Sequence, residues 1–423
     1  MRRFAIVLLL LCLSACAPKD MIRPKAEPCR IQPGQEDKEG RPLQCADRFT
    51  IEERGEGYQY TLHFVEFTEQ GHFHSRDQLN TVLERIREGG KNQDILLFIH
   101  GWNHDARADD RNVLEFRRLL RTVDARNRTR TTTGVFVGWR GASIDAPLLN
   151  KITFWERKNV SIEVGRGSLI ELIERLRAAG GANPGSRMIS IGHSFGASVL
   201  LSATKNELYK EFLPAEDQRT LLVHTKPIDN FTILVNPAIE ATPFMALHDL
   251  MEENERLRPG TYGQPVSPKI VVFTSESDWA VKYAFPAGRL LSTPFELHRK
   301  LQRMDRTGAH VEFDEYPMDI LALGRFDRFQ THRLSLTQAG SGKRPGECAA
   351  KPQTWAEDVL HHQTGEKWVG DFKWSGTSLQ HLGQSPAFAP AWVVNVDPAI
   401  IDGHGGIWEG AFNCFLEELV LVH

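Results

Sequence analysis

A serine hydroxyl becomes a working nucleophile when an imidazole takes its proton and a carboxylate orients that imidazole. This chain carries the three groups in an order that suits the chemistry. Gly192-His193-Ser194-Phe195-Gly196 stands between an apolar run, Met188-Ile189-Ser190-Ile191, and a helix-like stretch from Ala197 to Ala203. A strand that turns sharply into a helix at a serine pushes the hydroxyl out of the regular surface. Glycines two positions to either side remove the side chains that would clash there. In a chain with 34 glycines, chance supplies such a pentapeptide in roughly one case in eight, so its setting carries more weight than its letters.

The partners are expected just past the carboxyl ends of strands, in the order serine, acid, histidine. Asp278 follows the strand-like run Ile270-Val271-Val272-Phe273, and His404 lies in Ile401-Asp402-Gly403-His404-Gly405-Gly406, between the last strand and the last helix. Glu276, Asp229, Asp397 and Asp402 compete for the acid, but Asp229 precedes its strand and Glu276 sits nearer the strand itself. His332, His361 and His362 compete for the base from a less regular part of the chain. An oxyanion needs two fixed N–H donors. The amide of Phe195 supplies one, and the loop Phe98-Ile99-His100-Gly101-Trp102-Asn103 offers the Trp102 amide as the other, with His100 as a brace. Because the base must be neutral, activity is expected to fall below about pH 6–7.

Alternating strand-like and helix-like blocks begin near residue 58. Tyr60 to Phe67 suits an edge strand, Ser75 caps a helix to Glu88, and Asp94 to Ile99 is a strand buried on both faces. Helices follow over 108–127 and 160–179, with strands at 134–139, 231–235, 270–273 and 391–396 and a helix over 412–420. This alternation predicts an α/β domain with a mostly parallel, doubly wound sheet. Residues 301–390 break the rhythm and are expected as a cap-like insertion, in which exposed Trp355, Trp368 and Trp374 could hold an apolar part of a substrate.

The first residues form a targeting segment. Arg2 and Arg3 precede an apolar run, Phe4 to Leu13, that is short for a bilayer span, and Leu13-Ser14-Ala15-Cys16 resembles a bacterial lipobox with Cys16 as the acylated residue. Residues 1–15 are therefore expected to be a signal peptide, 16–57 a lipid-anchored tether and collar, and 58–423 the catalytic domain. Ala17 after the cysteine favours the outer membrane, facing the periplasm. The net charge of −3 becomes −5 without residues 1–15, and no basic stripe suggests nucleic acid. Cys29, Cys45, Cys348 and Cys414 fit two disulfides, with Cys29–Cys45 and Cys348–Cys414 the preferred pairing of three. His72, His74 and His104 show no metal-ligand spacing, and neither a metal nor another cofactor is expected.

The quoted segments, together with Phe136-Val137-Gly138-Trp139 and Phe273-Thr274-Ser275-Glu276-Ser277-Asp278-Trp279-Ala280, resemble the alpha/beta-hydrolase superfamily, in particular bacterial serine-esterase-like hydrolases. The likeness implies Ser194, Asp278 and His404 as a triad, with Trp102 and Phe195 as oxyanion donors. It also implies cleavage of carboxylic esters, lipid or acyl esters among them, through an acyl-enzyme, by machinery shared with amidases and thioesterases. The competing expectation is a non-catalytic scaffold of the same fold that binds an envelope protein through residues 301–390.

Overall fold

The computed structural model describes residues 20–32, 34–36, 41, 43–142, 154–213, 228–293, 295–337, 348 and 360–423. Short apolar runs become the central strands because they can bury both faces at once. In β4, defined below, Ile95, Leu97 and Ile99 join one hydrophobic cluster while Leu96 and Phe98 join the other. Two cores, one on each side of a single sheet, follow from that alternation.

The strands are β1 (Cys29–Ile31), β2 (Thr50–Gly55), β3 (Tyr58–Glu66), β4 (Gln93–Ile99) and β5 (Thr131–Gly138). They continue as β6 (Arg187–His193), β7 (Asp229–Val235), β8 (Ile270–Ser275), β9 (Lys300–Met304) and β10 (His310–Asp314). The last are β11 (His332–Leu336), β12 (Leu360–Thr364), β13 (Lys367–Phe372), β14 (Thr377–His381) and β15 (Ala391–Val396). Thirteen of them form one sheet in the order β1-β2-β3-β5-β4-β6-β7-β8-β15-β11-β14-β13-β12, while β9 and β10 pair separately. From β3 to β11 every neighbouring pair is parallel. Helices cover both faces, including Phe195–Phe212 after β6 and Gly410–Val422 at the end of the chain. This is the α/β-hydrolase fold.

Three elements differ from their sequence expectations. Tyr58–Glu66 is an interior strand, because Thr50–Gly55 pairs along its outer side. The helix expected over 160–179 is two helices, Phe154–Arg166 and Leu169–Gly181, broken at Gly167, where an added Cβ would lie 2.4 Å from the Gly71 carbonyl oxygen. The described tryptophans of the insertion are not exposed. Trp368 and Trp374 are 1% exposed. Residues 367–372 alternate inward and outward, so Trp368 packs on Trp392 of β15 while Phe372 meets Phe415 of the last helix. Trp355 lies outside the described residues. The insertion thus extends the sheet through β11 to β14, while β9, β10 and the helix Glu315–Ile320 lie beside it.

Both disulfides follow the preferred pairing: Cys29–Cys45 ties the first strand of the sheet order to the turn Leu43–Cys45, and Cys348–Cys414 ties the insertion to the last helix. Among the described residues no helix is long and apolar enough to cross a membrane.

Burial holds several of the described histidines neutral. Burial lowers His63 to about 3, His100, His248 and His381 to about 4, and His193 and His332 well below their ordinary value. Glu417 works in the opposite sense, because burial raises it to about 7. An unfolded chain protonates these histidines near pH 6.5, whereas the native protein protonates His63, His100, His248 and His381 only near pH 3–4. Stability is therefore expected to fall as pH drops from about 6.5 towards 4. Urea unfolding should show a lower midpoint at pH 5 than at pH 7, and a higher one would contradict this assignment.

Candidate active site

Ser194 occupies the single residue between β6 and the helix Phe195–Phe212. Its φ of 57° and ψ of −120° are strained for a residue with a side chain. The backbone around it holds the strain. Its N–H donates to Val235 O at 3.0 Å, and its carbonyl accepts from Ala197 N at 3.1 Å and Ala238 N at 3.2 Å. The flanking glycines are required by space. A Cβ on Gly196 would lie 2.1 Å from Ile99 O, and one on Gly192 would lie 2.6 Å from Gly196 O. Gly101 is equally tight, since its Cβ would lie 2.8 Å from the Cβ of Ser194.

Asp278 and His404 reach the serine from neighbouring strands. β15 pairs with β8 in parallel along its whole length, Ala391 opposite Ile270 and Val396 opposite Ser275. The loops beyond them are then stitched together. Ser275 Oγ donates to Ile401 O at 2.6 Å, and Gly403 N donates to Ser277 Oγ at 2.8 Å. Asn236 Nδ2 donates to the carbonyls of Gly403 and His404 at 3.2 and 3.0 Å while its Oδ1 accepts from Ser275 N at 2.9 Å. His193, beside Ser194, donates from Nε2 to His404 O at 2.9 Å, and burial lowers its pKa well below the ordinary value.

The result is a continuous hydrogen-bonded chain. His404 Nδ1 lies 2.7 Å from Asp278 Oδ2, and His404 Nε2 lies 2.7 Å from Ser194 Oγ. With Nδ1–H donating to the carboxylate, Nε2 is left to accept the hydroxyl hydrogen. Asp278 is fully buried and its second oxygen accepts from Val281 N at 3.1 Å. The carboxylate is therefore held on both sides.

Phe195 opens its helix, so its N–H has no intrahelical acceptor and faces the neighbourhood of Ser194. The Gly101–Trp102 backbone runs against the same residue, fixed by His100. That ring donates from Nδ1 to Gly101 O at 2.9 Å, accepts from Trp139 N at 3.1 Å and stacks on Trp139. The Trp102 ring meets Phe154 edge-on, Phe154 also touches Phe195, and Trp155 continues to Phe285. An aromatic wall therefore runs from the loop beside Ser194 to the helix Phe285–Ser292.

The competing residues have other partners. Glu276 pairs with Arg333 at 3.5 Å, Asp229 with Lys269 at 3.2 Å, and Asp397 accepts from Ala399 N. His332 is buried against Trp368, His381 and Trp392, and His361 and His362 belong to β12 at the far edge of the sheet. His104 sits on Asp110 at 3.0 Å. Among the described residues, Glu296, His298 and Asp319 converge closely enough to hold a metal, but the Arg289 guanidinium already lies 2.5 Å from Asp319. Cys16 lies outside the described residues. Sequence reasoning missed Asn236, Ser275, Ser277 and Arg325, the last of which donates to the Ser275 carbonyl. Polar residues at the carboxyl end of a buried parallel strand, or one to two positions beyond it, were the available signal for the first three.

The sequence matches no protein-family model and no curated protein. A solved structure of an inhibited esterase B from Lactobacillus rhamnosis is similar at 16% identity over 48% of this chain, with a TM-score of 0.18. The match spans 61% of that esterase chain.

The glycine geometry separates two substitutions of the same type. Gly196→Ala places a methyl on the backbone of a central strand and should cost at least about 2 kcal/mol. Gly405→Ala meets nothing within 4 Å and should stay within about 0.5 kcal/mol of wild type. Denaturant unfolding measures both, and equal stabilities would refute the steric account.

Proposed function

We propose that the protein is a serine hydrolase that cleaves carboxylic esters through an acyl-enzyme and is held in the bacterial envelope by an acylated Cys16. The reading rests above all on the two 2.7 Å hydrogen bonds that link Ser194, His404 and Asp278. His404 takes the Oγ proton at Nε2 as Ser194 attacks the ester carbonyl, and the Phe195 and Trp102 amides receive the oxyanion. The tetrahedral species expels the alcohol, which collects the proton from His404. A water molecule then repeats the sequence on the acyl-enzyme and releases the acid.

The aromatic wall of Trp102, Phe154, Trp155 and Phe195 favours an apolar acyl group over a charged one. Amides and thioesters pass through the same tetrahedral chemistry, so acyl-chain preference rather than the leaving group is the more informative assay. The anchor is inferred from Leu13-Ser14-Ala15-Cys16.

Ser194→Ala and His404→Ala should each lower kcat/KM on a nitrophenyl acyl ester by about 10⁴-fold or more, and Asp278→Asn by about 10⁴-fold. A fluorophosphonate probe should label wild type and spare Ser194→Ala. Folded wild-type protein that takes no label would favour the non-catalytic scaffold instead. Flotation with vesicles should separate the full chain, which rises, from Cys16→Ser, which stays in the soluble fraction.

A further inference from the structure

We infer that the edge of the sheet carrying Ser194 faces the membrane, gripped on one side by the lipid anchor and on the other by an apolar helix face that enters the bilayer interface. The inference rests on the proposed anchor at Cys16 and adds an orientation to it: the mouth of the site opens onto lipid, so its substrates are esters drawn from the bilayer.

The first grip follows from where the N-terminal segment is fastened. Ile22 N and Arg23 N donate to Glu66 at 2.8 and 2.9 Å, and Glu66 is the last residue of β3. The Arg23 side chain is fully buried, donating to Ala106 O, Cys45 O and Arg48 O and lying 3.6 Å over the Phe64 ring. Asp20 and Ile22 line a cleft with Asn103, His104 and Gly141, all in loops beyond the carboxyl ends of β4 and β5. Ser194 follows the carboxyl end of β6, on the same edge of the parallel sheet. Only three residues separate Cys16 from Asp20, a reach of about 14 Å at full extension. An acyl chain on Cys16 would therefore hold this edge, and not the opposite one, close to the lipid.

The second grip lies beyond β8 on that same edge. Nearly half of the large apolar side chains exposed among the described residues fall within residues 279–297. Trp279, Tyr283 and Leu290 are 66, 55 and 48% exposed. They recur at helical spacing along the π-turn Ala280–Ala284 and the helix Phe285–Ser292. The opposite side of this helix is already satisfied: Val281 and Phe285 are buried, and Phe285 packs on Trp155 of the aromatic wall. A helix face turned to water is ordinarily polar. Here the outward face is aromatic and aliphatic with Lys282 beside it, the composition that settles at a lipid–water boundary. The turn that follows adds Phe295 and Leu297, 94 and 88% exposed, on either side of a glutamate 3.7 Å from Arg289.

The spacing suits one flat surface. β3 and β8 are five strands apart in the sheet order, about 24 Å, with β6 and Ser194 between them. A bilayer is the occupant that matches both observations, because a short lipid tether and an apolar helix face the same way across the site.

The test uses the full acylated chain in vesicles of phosphatidylethanolamine and phosphatidylglycerol. An environment-sensitive fluorophore is attached at Leu290→Cys or, as a control on the opposite edge, at Lys91→Cys ahead of β4. Lipids brominated along the acyl chain should quench the probe at 290 by more than half and leave the probe at 91 unchanged. A probe at 290 that stays unquenched while the protein floats with the vesicles overturns the orientation. So does shielding of that probe only in native envelopes, which would make a protein the occupant. As a second readout, Tyr283→Ser/Leu290→Ser/Phe295→Ser should lower the ratio of vesicle-ester to soluble-ester hydrolysis about tenfold, and an unchanged ratio counts against the inference. Fluorophosphonate labelling reports the hydrolase chemistry independently and flotation of Cys16→Ser reports the anchor, so failure of either is distinguishable from failure of the orientation.

Discussion

The parallel pairing of β15 with β8 is the constraint on which the site depends. Between Asp278 and His404 the chain builds a separate hairpin and four strands that extend the sheet, and then returns as β15. It returns beside the strand it left. With Val396 opposite Ser275, the two loops start from adjacent positions on one edge, so a few hydrogen bonds suffice to bring imidazole and carboxylate together. The long excursion therefore costs the geometry of the site nothing. Its buried tryptophans consolidate the sheet that fixes β15 in place.

A second requirement is that several imidazoles stay uncharged for different reasons. His404 needs a free lone pair at Nε2 to accept from Ser194. His193 and His100 serve as neutral donors to backbone carbonyls, and a charge on either would sit unsolvated within the core. Burial meets the requirement for the two supporting rings by pushing their pKa values down. Two adjacent residues of the motif Gly-His-Ser thus reach the same loop: Ser194 through the His404 ring, and His193 through the His404 carbonyl.

Much of this was legible in the sequence, where apolarity and spacing coincide. The central strands β4, β6, β7, β8 and β15 are largely apolar, and Ser194, Asp278 and His404 follow the carboxyl ends of three of them. The parts that escaped are held by polar groups. β2 buries Glu53 against Arg117 and Arg121, a cluster that hydropathy takes for surface. β11 and β14 bury His332, His381 and Thr377 in the same way. Asn236 was equally hidden, because its role depends on backbone carbonyls more than 160 positions away. A helix broken at Gly167 left no mark in the periodicity, since the cause is the close approach of Gly71.

The position of β15 also orders events during synthesis. It is the last of the described strands in chain order, yet it is ninth of the thirteen in the sheet. Until it arrives, β8 keeps an open edge and the four-strand group β11-β14-β13-β12 has no partner through which to join the body. The chain cannot close its sheet from one end to the other as it emerges. A nascent protein of this topology therefore holds its sheet in two separate parts until β15 has been made.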